Sequence, residues 1–500
     1  MVYVYQGIVP VFLSFPTHPA CAGGDRYAAK LRAQLTDMPK PPSPDRSSDA
    51  PHPGWKETYW RSVAYLRQGK DEAALACLET AASLRPDHVS TRILLGRVQV
   101  GLGQPAQACQ TLEPVLAQYP DHESASLGYG LALFLAGRRG HALECFRRLA
   151  ESVPDSWRAW NSIADITPRE PERLLALQAG LRVLLDLCDR SAPEPRHLIA
   201  CVDAYLNCRD AQSARRFALR HRAAFQDPCR AQDAIARACY FSGEFKPACA
   251  HKINSLLALT RRHMPACPSR PRLPARSTLA AVRQVAHLMR SHGYIPVALA
   301  GTQLGLSRSG APLPEDRDVD IGLLAADPCC ADPVDIVRTH PGLVLNRHAR
   351  TGDRYLPVSH KGVSLDLFHL TLEDDHYLYG FSHHAGDIQW RVARFAPGPP
   401  DEFGLARLPP AQAARYLAEV YGPSWTIPDP VFASAIASPA LYQVSPHARA
   451  YYCAHRVRQC LLQQDQAKAL ALLAHTPVAI PLETAADPDL WTHPPAAGTF

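Results

Sequence analysis

The sequence lacks the features that mark several large classes of protein. No apolar run approaches the ~18–20 residues of a membrane-spanning helix. No C-x-x-C pair occurs among its 15 cysteines, which are scattered and odd in number. Such spacing is typical of reduced, mostly buried thiols rather than of a disulfide framework or a zinc ribbon. These absences predict a soluble cytoplasmic protein with no membrane span.

Neither sign of charge dominates the chain. Its 53 lysines and arginines against 47 aspartates and glutamates leave a net charge of +6 over 500 residues. This charge is too small to indicate nucleic acid or an acidic membrane as a partner, and no nucleic-acid-binding module is recognisable. With 47% hydrophobic and 20% charged residues, the composition excludes collagen-like, coiled-coil and disordered chains. The length predicts about two to four globular domains.

Proline, in contrast, is abundant, and its positions divide the chain. There are 46 prolines, and proline-rich stretches at 39–54 and 261–277 interrupt any helix or sheet. We expect a poorly ordered N-terminal segment and linker over 1–54. We also expect an interdomain linker over 261–277, whose arginines would alternatively form a basic strap for phosphates or a membrane surface.

A 34-residue period begins directly after the first linker. It is carried by glycines, by alanines and by Pro-Asp pairs, at Gly69, Gly103 and Gly137, at Ala74, Ala108 and Ala142, and at Pro86-Asp87, Pro120-Asp121 and Pro154-Asp155. A glycine turn after one helix, a small residue where two helices touch and a Pro-Asp pair that stops each unit predict stacked helical hairpins.

The period and its residues resemble the tetratricopeptide repeat. The matching positions are Leu95-Gly96 and Tyr129-Gly130 in the first helix and Leu78, Leu112 and Phe146 in the second. Weaker markers at Ala214, Gly243 and Ala248 extend the pattern, so an all-α solenoid of about five or six hairpins is predicted over 55–260. Its concave face is expected to bind a protein partner or the carrier of an acceptor glycan. The side chains predicted to line that face are Tyr59, Val63, Ile93, Val100, Leu127, Leu131 and Phe134.

After the second linker the sequence pattern changes from helical repeats to a mixture of helical and β-type segments. Residues 278–292 have helical periodicity and are followed by short β-type runs, which predicts an α+β domain over 278–430 with a small mixed sheet and flanking helices. The runs are 294–300, 319–324, 343–346, 354–359 and 363–370. Residues 431–500 are predicted to form a helical hairpin and a loose proline-rich tail.

Acidic residues mark a candidate site in this second domain. An apolar run delivers Gly301-Thr302 at its end, and Asp318 and Asp320 then share one face of a later β-type run. Asp366 lies in another such run, between leucines that would face the core. Carboxylates that meet in apolar surroundings repel one another unless a cation or protons neutralise them, and Mg²⁺ is the simplest oxygen-liganded cation.

This part of the chain resembles the LicD/fukutin-like family of the nucleotidyltransferase superfold. The resemblance rests on Gly301-Thr302-Gln303-Leu304-Gly305, Arg308, Pro314, Asp316-Arg317-Asp318-Val319-Asp320-Ile321, Ser364-Leu365-Asp366-Leu367-Phe368, Tyr416-Leu417, Tyr421-Gly422, Trp425 and Pro428. It covers about residues 278–430. The chain departs from the family pattern at Gln303, where an aliphatic residue is usual, and at Glu315, where tryptophan is usual.

The resemblance implies a metal-dependent phosphotransferase. Such an enzyme moves a phosphorylated alcohol, phosphocholine or a polyol phosphate, from a CDP-activated donor to a hydroxyl of a cell-surface glycan such as lipopolysaccharide or capsule. The residues that would bind the donor are Gly301, Thr302, Gly305 and Arg308. Those that would hold Mg²⁺ (or Mn²⁺) are Asp316, Asp318, Asp320 and Asp366, of which the last three are the predicted catalytic residues. Asp366 would alternatively take the proton from the attacking hydroxyl.

Two other functions remain open at this point. The chain would be a repeat scaffold if its transferase-like domain were inactive, which Glu315 and Arg317 favour. It would be a nucleotidyltransferase proper if it moved a nucleoside monophosphate from CTP, because one fold supports both reactions.

Overall fold

The computed structural model describes residues 54–190, 193–260 and 275–480, except Pro312, Pro314, Glu315, Arg317, Pro328 and Ser382. The expectations for 1–53, for 261–274 and for the tail after 480 lie outside these residues. The same is true of the motif positions Pro314, Glu315 and Arg317.

The first part of the described chain consists of helices that pair into hairpins. They are α1 (Trp55–Gln68), α2 (Asp71–Leu84), α3 (Val89–Gly101), α4 (Pro105–Gln118), α5 (Glu123–Leu135), α6 (Arg139–Ser152), α7 (Trp157–Ile166), α8 (Glu170–Arg190), α9 (Pro195–Asn207), α10 (Ala211–Arg220), α11 (Pro228–Phe241) and α12 (Phe245–Thr260), with a 3₁₀ turn at Arg222–Phe225. Each odd-numbered helix packs against the next even-numbered one, and each hairpin packs against its neighbour in sequence. The predicted helical solenoid is therefore confirmed, and we call these helices the repeat array.

A left-handed residue closes the first helix of most of these hairpins. Gly69, Gly103, Gly137 and Gly243 have φ angles of 79°, 72°, 80° and 77°, which glycine adopts without steric cost. Arg209 takes the same place with a φ of 60°. The residue five positions further on is a fully buried alanine in each case: Ala74, Ala108, Ala142, Ala214 and Ala248. The two helices of a hairpin can approach closely because this residue has only a methyl side chain.

The array is followed by strands and shorter helices, which we call the sheet body (residues 275–445). Its elements are α13 (Ala275–Ser291), β1 (Tyr294–Ala298), α14 (Ala300–Ser309), β2 (Val319–Ala325), α15 (Pro333–Thr339), β3 (Leu343–Leu345), β4 (Tyr355–His360), β5 (Val363–His369), β6 (Thr371–Glu373), β7 (His376–Gly380), β8 (Gln389–Ala393), α16 (Pro410–Tyr421) and α17 (Ser434–Ala437). The body extends past residue 430, since the Tyr442 N–H donates to the Gln389 carbonyl at 3.1 Å.

The main sheet of this body has five strands in the order β1-β2-β5-β4-β3. Strands β2 and β5 are parallel, and the other pairs are antiparallel. The predicted small mixed sheet is thus confirmed. Each strand coincides with a predicted run, and β2 and β4 each extend one residue beyond theirs. Val285 and Met289 of α13 share a core with Ile321 and Leu367 of the two parallel strands. The separate antiparallel sheet β6-β7-β8 was not predicted.

The C-terminal hairpin belongs to the repeat array. It consists of α18 (Pro446–Leu462) and α19 (Gln466–Ala474), and α18 packs on α12. The rings of Tyr240 and Tyr451 lie 4.6 Å apart at this junction. Gln464 has a φ of 59°, and the buried Ala469 follows five positions later, as in the earlier hairpins. The sheet body is therefore inserted into the array, between α12 and α18.

A loop of the sheet body docks into the array. This docked loop (residues 346–353) joins β3 to β4. The guanidinium of Arg347 binds both carboxylate oxygens of Asp165 at 2.6 Å, and these two side chains are 1% and 0% exposed. His348 donates from Nδ1 to the Leu206 carbonyl at 2.8 Å, and Arg350 donates to the Asn207 carbonyl at 2.7 Å.

The array in turn grips the backbone of the docked loop. Arg173 donates to the carbonyl oxygens of Arg347 at 3.0 Å and of Ala349 at 2.6 Å. Arg209, the left-handed residue of its hairpin, donates to the His348 carbonyl at 3.0 Å. Charged donors on fixed helices thus hold a loop whose carbonyl groups would otherwise be buried without partners.

The side chains predicted to line a docking face are buried. Tyr59, Val63, Ile93, Val100, Leu127, Leu131 and Phe134 all lie in the hydrophobic cores of the array. Val344 of β3 joins the larger of these cores. The assignment of these residues to a partner-binding surface was wrong, because first-helix apolar positions here pack between hairpins. Within the described ranges, no helix is long and apolar enough to cross a bilayer.

Candidate functional site

The candidate site begins at the junction of β1 and α14. Ala300, the first residue of α14, has a φ of 41°, in the left-handed region that non-glycine residues rarely adopt. Its N–H donates to the Tyr416 hydroxyl at 2.9 Å. This sharp turn brings the first peptide groups of α14 against the carboxyl-terminal side of β1, where Gly301 and Thr302 meet strand β2.

Asp320 of β2 is held from several directions. Its carboxylate oxygen Oδ2 accepts the Gly301 N–H at 3.2 Å, and its own N–H donates to the Thr302 hydroxyl at 2.9 Å. Its carbonyl accepts the Leu299 N–H at 3.1 Å. The predicted glycine-threonine turn is thus next to the predicted acid, and Thr302 contacts the backbone of β2 with its hydroxyl.

Asp366 of β5 lies beside Asp320. The two residues are in register across the parallel pair of β2 and β5, and both are buried. Tyr355 of the neighbouring strand β4 hydrogen-bonds the Asp366 carboxyl group. We call Asp320 and Asp366 the acid pair. The structure places these two predicted acids in register on neighbouring strands, and their catalytic role stays a prediction.

The other two predicted acids border the pair. Asp318 immediately precedes β2 and is buried. A methyl group built on Gly301 would lie 3.3 Å from a carboxylate oxygen of Asp316, so this acid reaches the same turn. Glycine at position 301 leaves room for the Asp316 carboxylate, which gives a physical reason for the glycine in the predicted motif.

The acid pair is electrostatically unfavourable as it stands. Burial, with the nearby carboxylates of Asp318 and Asp316, raises the pKa of Asp320 to about 8, against the opposing hydrogen bond from Gly301. Burial also raises the pKa of Asp366 well above its ordinary value, and Asp318 and Asp320 add to this rise. Protons or a cation near these oxygens would remove the cost.

The donor set fits a hard cation in a limited way. Among the described residues, Asp320 Oδ1 and Asp366 Oδ2 are buried oxygens with no hydrogen-bond partner. The described ranges contain no group of three or more His, Cys, Asp and Glu side chains arranged to hold a metal ion. Mg²⁺ commonly uses only one or two carboxylates, with water and substrate phosphates as further ligands. The acid pair fits that pattern, and the four-carboxylate set remains a prediction.

The remaining predicted donor-binding residues lie on α14. Gly305 is one helical turn after Gly301 and is buried. Arg308 donates from Nε to the Trp425 carbonyl at 3.0 Å and from Nη2 to the Trp425 and Ile427 carbonyls. Its guanidinium therefore clamps the segment after α16 to α14. A role for Arg308 toward donor phosphates stays a prediction.

Sequence reasoning assigned no role at the site to two tyrosines that lie beside it. The hydroxyls of Tyr379 on β7 and Tyr416 on α16 lie 3.2 Å apart, and both rings are buried. Burial raises the pKa of each hydroxyl, so both remain neutral hydrogen-bonding groups. Tyr416 belongs to the closing motif segment, which indicated its presence but not its contact with Ala300. Nothing in the sequence indicated Tyr379.

Comparison with known proteins bears on the repeat array. Residues 65–123 match the family model described as Tetratricopeptide repeat. A tetratricopeptide repeat protein from Parabacteroides merdae ATCC 43184, solved by crystallography, is 15% identical, with a TM-score of 0.30 over 46% of this chain and 84% of that one. No curated protein matches the sequence.

Proposed function

We propose that the sheet body is a divalent-cation-dependent transferase that acts on a nucleotide-activated phosphate donor. In its finer form, the proposal is transfer of a phosphorylated alcohol from a CDP-activated donor to a glycan hydroxyl. The observation that carries it is the acid pair, buried side by side on parallel strands, with one oxygen on each carboxyl group that has no hydrogen-bond partner among the described residues. The motif resemblance supplies the donor and acceptor classes.

The cation would be held by Asp320 and Asp366, with Asp318 close by. When bound, Mg²⁺ or Mn²⁺ would neutralise charge on the donor diphosphate and on the acid pair. The protein contributes a prepared arrangement. The Gly301 N–H orients one carboxylate oxygen of Asp320, and the other oxygen has no donor among the residues that the structure describes. Tyr355 orients Asp366 in the same way.

The transfer itself is a substitution at the donor's second phosphorus. The acceptor oxygen forms a bond to that phosphorus. The bond between the same phosphorus and the oxygen that bridges the two phosphates breaks, and CMP leaves with the bridging oxygen and the electron pair of the broken bond. The acceptor's proton goes to a carboxylate. Asp366 would take this proton in the alternative arrangement in which Asp318 and Asp320 hold the cation and Asp366 does not coordinate it.

The direct test measures both Mn²⁺ binding and CMP release with the full-length protein. Mn²⁺ titration followed by electron paramagnetic resonance should show a bound ion that Asp366→Asn loses. Phosphorus NMR with Mg²⁺ and CDP-choline, CDP-ribitol, CDP-glycerol or CTP should show CMP release from a CDP-alcohol. Asp318→Asn and Asp366→Asn should each reduce that release by roughly 100-fold or more.

Asp387→Asn is the matched control. Asp387 is also a buried acid, but it accepts hydrogen bonds from Tyr240, from the Ile388 N–H at 2.7 Å and from the His383 N–H at 3.2 Å, away from the site. It should keep Mn²⁺ binding and CMP release. Pyrophosphate from CTP would select the nucleotidyltransferase alternative. A wild-type protein that neither binds Mn²⁺ nor releases CMP or pyrophosphate would be a repeat scaffold.

A further inference from the structure

The main-chain turn at Ala300 is strained. Its φ of 41° places an alanine in the left-handed region, where the β-carbon crowds the following carbonyl oxygen. Such residues persist only when their surroundings hold them, and they concentrate where a site needs a fixed backbone. Ala300 follows Leu299, the residue after β1, and directly precedes Gly301, whose N–H binds Asp320.

A buried hydroxyl holds this residue in place. Tyr416 Oη accepts the Ala300 N–H at 2.9 Å, across 116 residues of chain. The Tyr379 hydroxyl, 3.2 Å from Tyr416 Oη, fixes the direction of that hydroxyl in turn. Both tyrosines are 2% exposed, so no water can replace either group without repacking the core.

The turn and the acid are connected through consecutive peptide groups. The Ala300 N–H points to Tyr416, and the next N–H, that of Gly301, points to Asp320 Oδ2 at 3.2 Å. A change in the Ala300 φ rotates the peptide that carries the Gly301 N–H and withdraws it from Asp320. The Leu299 and Thr302 contacts to the Asp320 backbone hold the strand but not its carboxylate.

We infer that Tyr416 is a positioning residue for the candidate site: its hydroxyl locks Ala300 in the left-handed conformation and thereby aims Asp320 at the cation. This inference rests on the proposed function, because it assigns the residue that prepares the acid pair for a divalent ion. Among the described residues, the Tyr416 hydroxyl hydrogen-bonds Ala300 and Tyr379 and neither carboxylate, so it acts through the turn.

The test uses Tyr416→Phe in the full-length protein. Hydrogen–deuterium exchange of peptides that contain residues 299–305 should speed up by ~10-fold or more, because the Ala300 N–H loses its acceptor. Mn²⁺ affinity, measured by electron paramagnetic resonance, should fall by ~10-fold, as expected when a group that orients a ligand is removed. Tyr294→Phe is the matched control, since that buried hydroxyl donates to the Ala331 carbonyl at 3.0 Å, and it should change neither quantity.

A second substitution separates positioning from general loss of structure. Glycine adopts a positive φ without strain, so Ala300→Gly added to Tyr416→Phe should restore most of the Mn²⁺ affinity. If Tyr416→Phe does not fold, Tyr379→Phe loosens the same hydroxyl more mildly and should give a smaller loss. Wild-type Mn²⁺ binding with an unchanged affinity in both tyrosine variants would overturn the inference. Absence of Mn²⁺ binding in the wild type would overturn the proposed function. If, in addition, Tyr416→Phe left hydrogen–deuterium exchange at residues 299–305 unchanged, the positioning role of Tyr416 would be overturned as well.

Discussion

Asp320 and Asp366 stand where a carboxyl group destabilises the fold. Each is buried next to other acids, and each has an oxygen that no described residue satisfies. The pKa of Asp320 is raised to about 8, mainly by burial. Selection for stability alone would favour neutral side chains at both positions. Their presence is the kind of local cost that binding sites carry.

We therefore expect Asp366→Asn to stabilise the metal-free protein. The amide keeps an acceptor for Tyr355 and removes the repulsion from Asp320, so the free energy of unfolding should rise by about 1–2 kcal/mol. Urea unfolding in the presence of EDTA measures the change. Asp387→Asn should instead lose about 1–3 kcal/mol, because its oxygens accept N–H and O–H groups that an amide NH₂ cannot replace. A loss of stability in both variants would contradict the expected strain at the acid pair.

At the residue scale, the sequence predicts which residues occur at the site better than it predicts their backbone conformation. The sequence pattern placed Asp320 and Asp366 in two β-type runs, but only the fold shows that these strands are neighbours and that the two acids are in register. A left-handed alanine has no sequence signature, so Ala300 could not be identified in advance. Its partner Tyr416 lies 116 residues away, and only the folded chain brings them together.

The repeat elements show which parts of a period carry structure. A methyl group at Gly96 would lie 2.7 Å from Leu112 Cγ, and one at Gly130 would lie 2.3 Å from Phe146 Cε1. Leu112 and Phe146, the second-helix residues of the predicted motif, thus occupy the space that a side chain at the first-helix glycine would need. The period becomes hidden where Arg209 and Gln464 replace the turn glycine, because both still adopt the left-handed conformation. This substitution concealed the C-terminal hairpin as a member of the array.

Gly130→Ala should destabilise the array by about 1–3 kcal/mol, since the added methyl group overlaps the Phe146 ring and forces the hairpin apart. Gly140→Ala is the control. It lies in α6 with nothing within 4 Å of the new methyl group, and it should be neutral or gain up to about 1 kcal/mol from helix propensity. Urea denaturation followed by circular dichroism measures both. Equal effects of the two substitutions would contradict the close contact at Gly130.

At the scale of the whole molecule, two histidines lie where the array and the sheet body meet, His348 buried and His383 half-buried. The rings of His348 and His383 are 5.2 Å apart, and Phe241 of α11 packs on His348 with centroids at 4.7 Å. Burial lowers the pKa of His348 well below its ordinary value, and Arg209 adds to this effect. Burial lowers the pKa of His383 to about 4. Both rings are therefore neutral in the folded protein at pH 7.

Acidification should weaken this junction. The unfolded chain takes up protons on these histidines near pH 6.5, whereas the folded chain resists until about pH 4 for His383. Their stabilising contribution is complete above pH 6.5 and is lost as the pH falls toward 4. Each pH unit over which one histidine differs between the two states costs about 1.4 kcal/mol.

Urea unfolding at pH 7.5, 6.0 and 5.0 measures that loss, and a His348→Gln/His383→Gln variant should show a shallower decline. An identical decline in the variant would place the responsible groups elsewhere.

The insertion of the sheet body was beyond sequence reasoning. The proline-rich linkers indicated a simple succession of domains, and nothing local distinguishes a terminal hairpin from one that rejoins an array. The junction is built from contacts between distant segments, such as Arg347 with Asp165 and α18 with α12.

That insertion also sets an order of events during synthesis. The hairpins up to α12 can stack as they leave the ribosome, because each contacts the one just made. Residues 261–445 must then emerge before α18 can cover α12. Until that moment Tyr240 and Lys252, both buried in the finished protein, lack the covering helix. A chain that stops before α18 therefore displays an apolar face with a lysine in it, which chaperones and proteases can recognise.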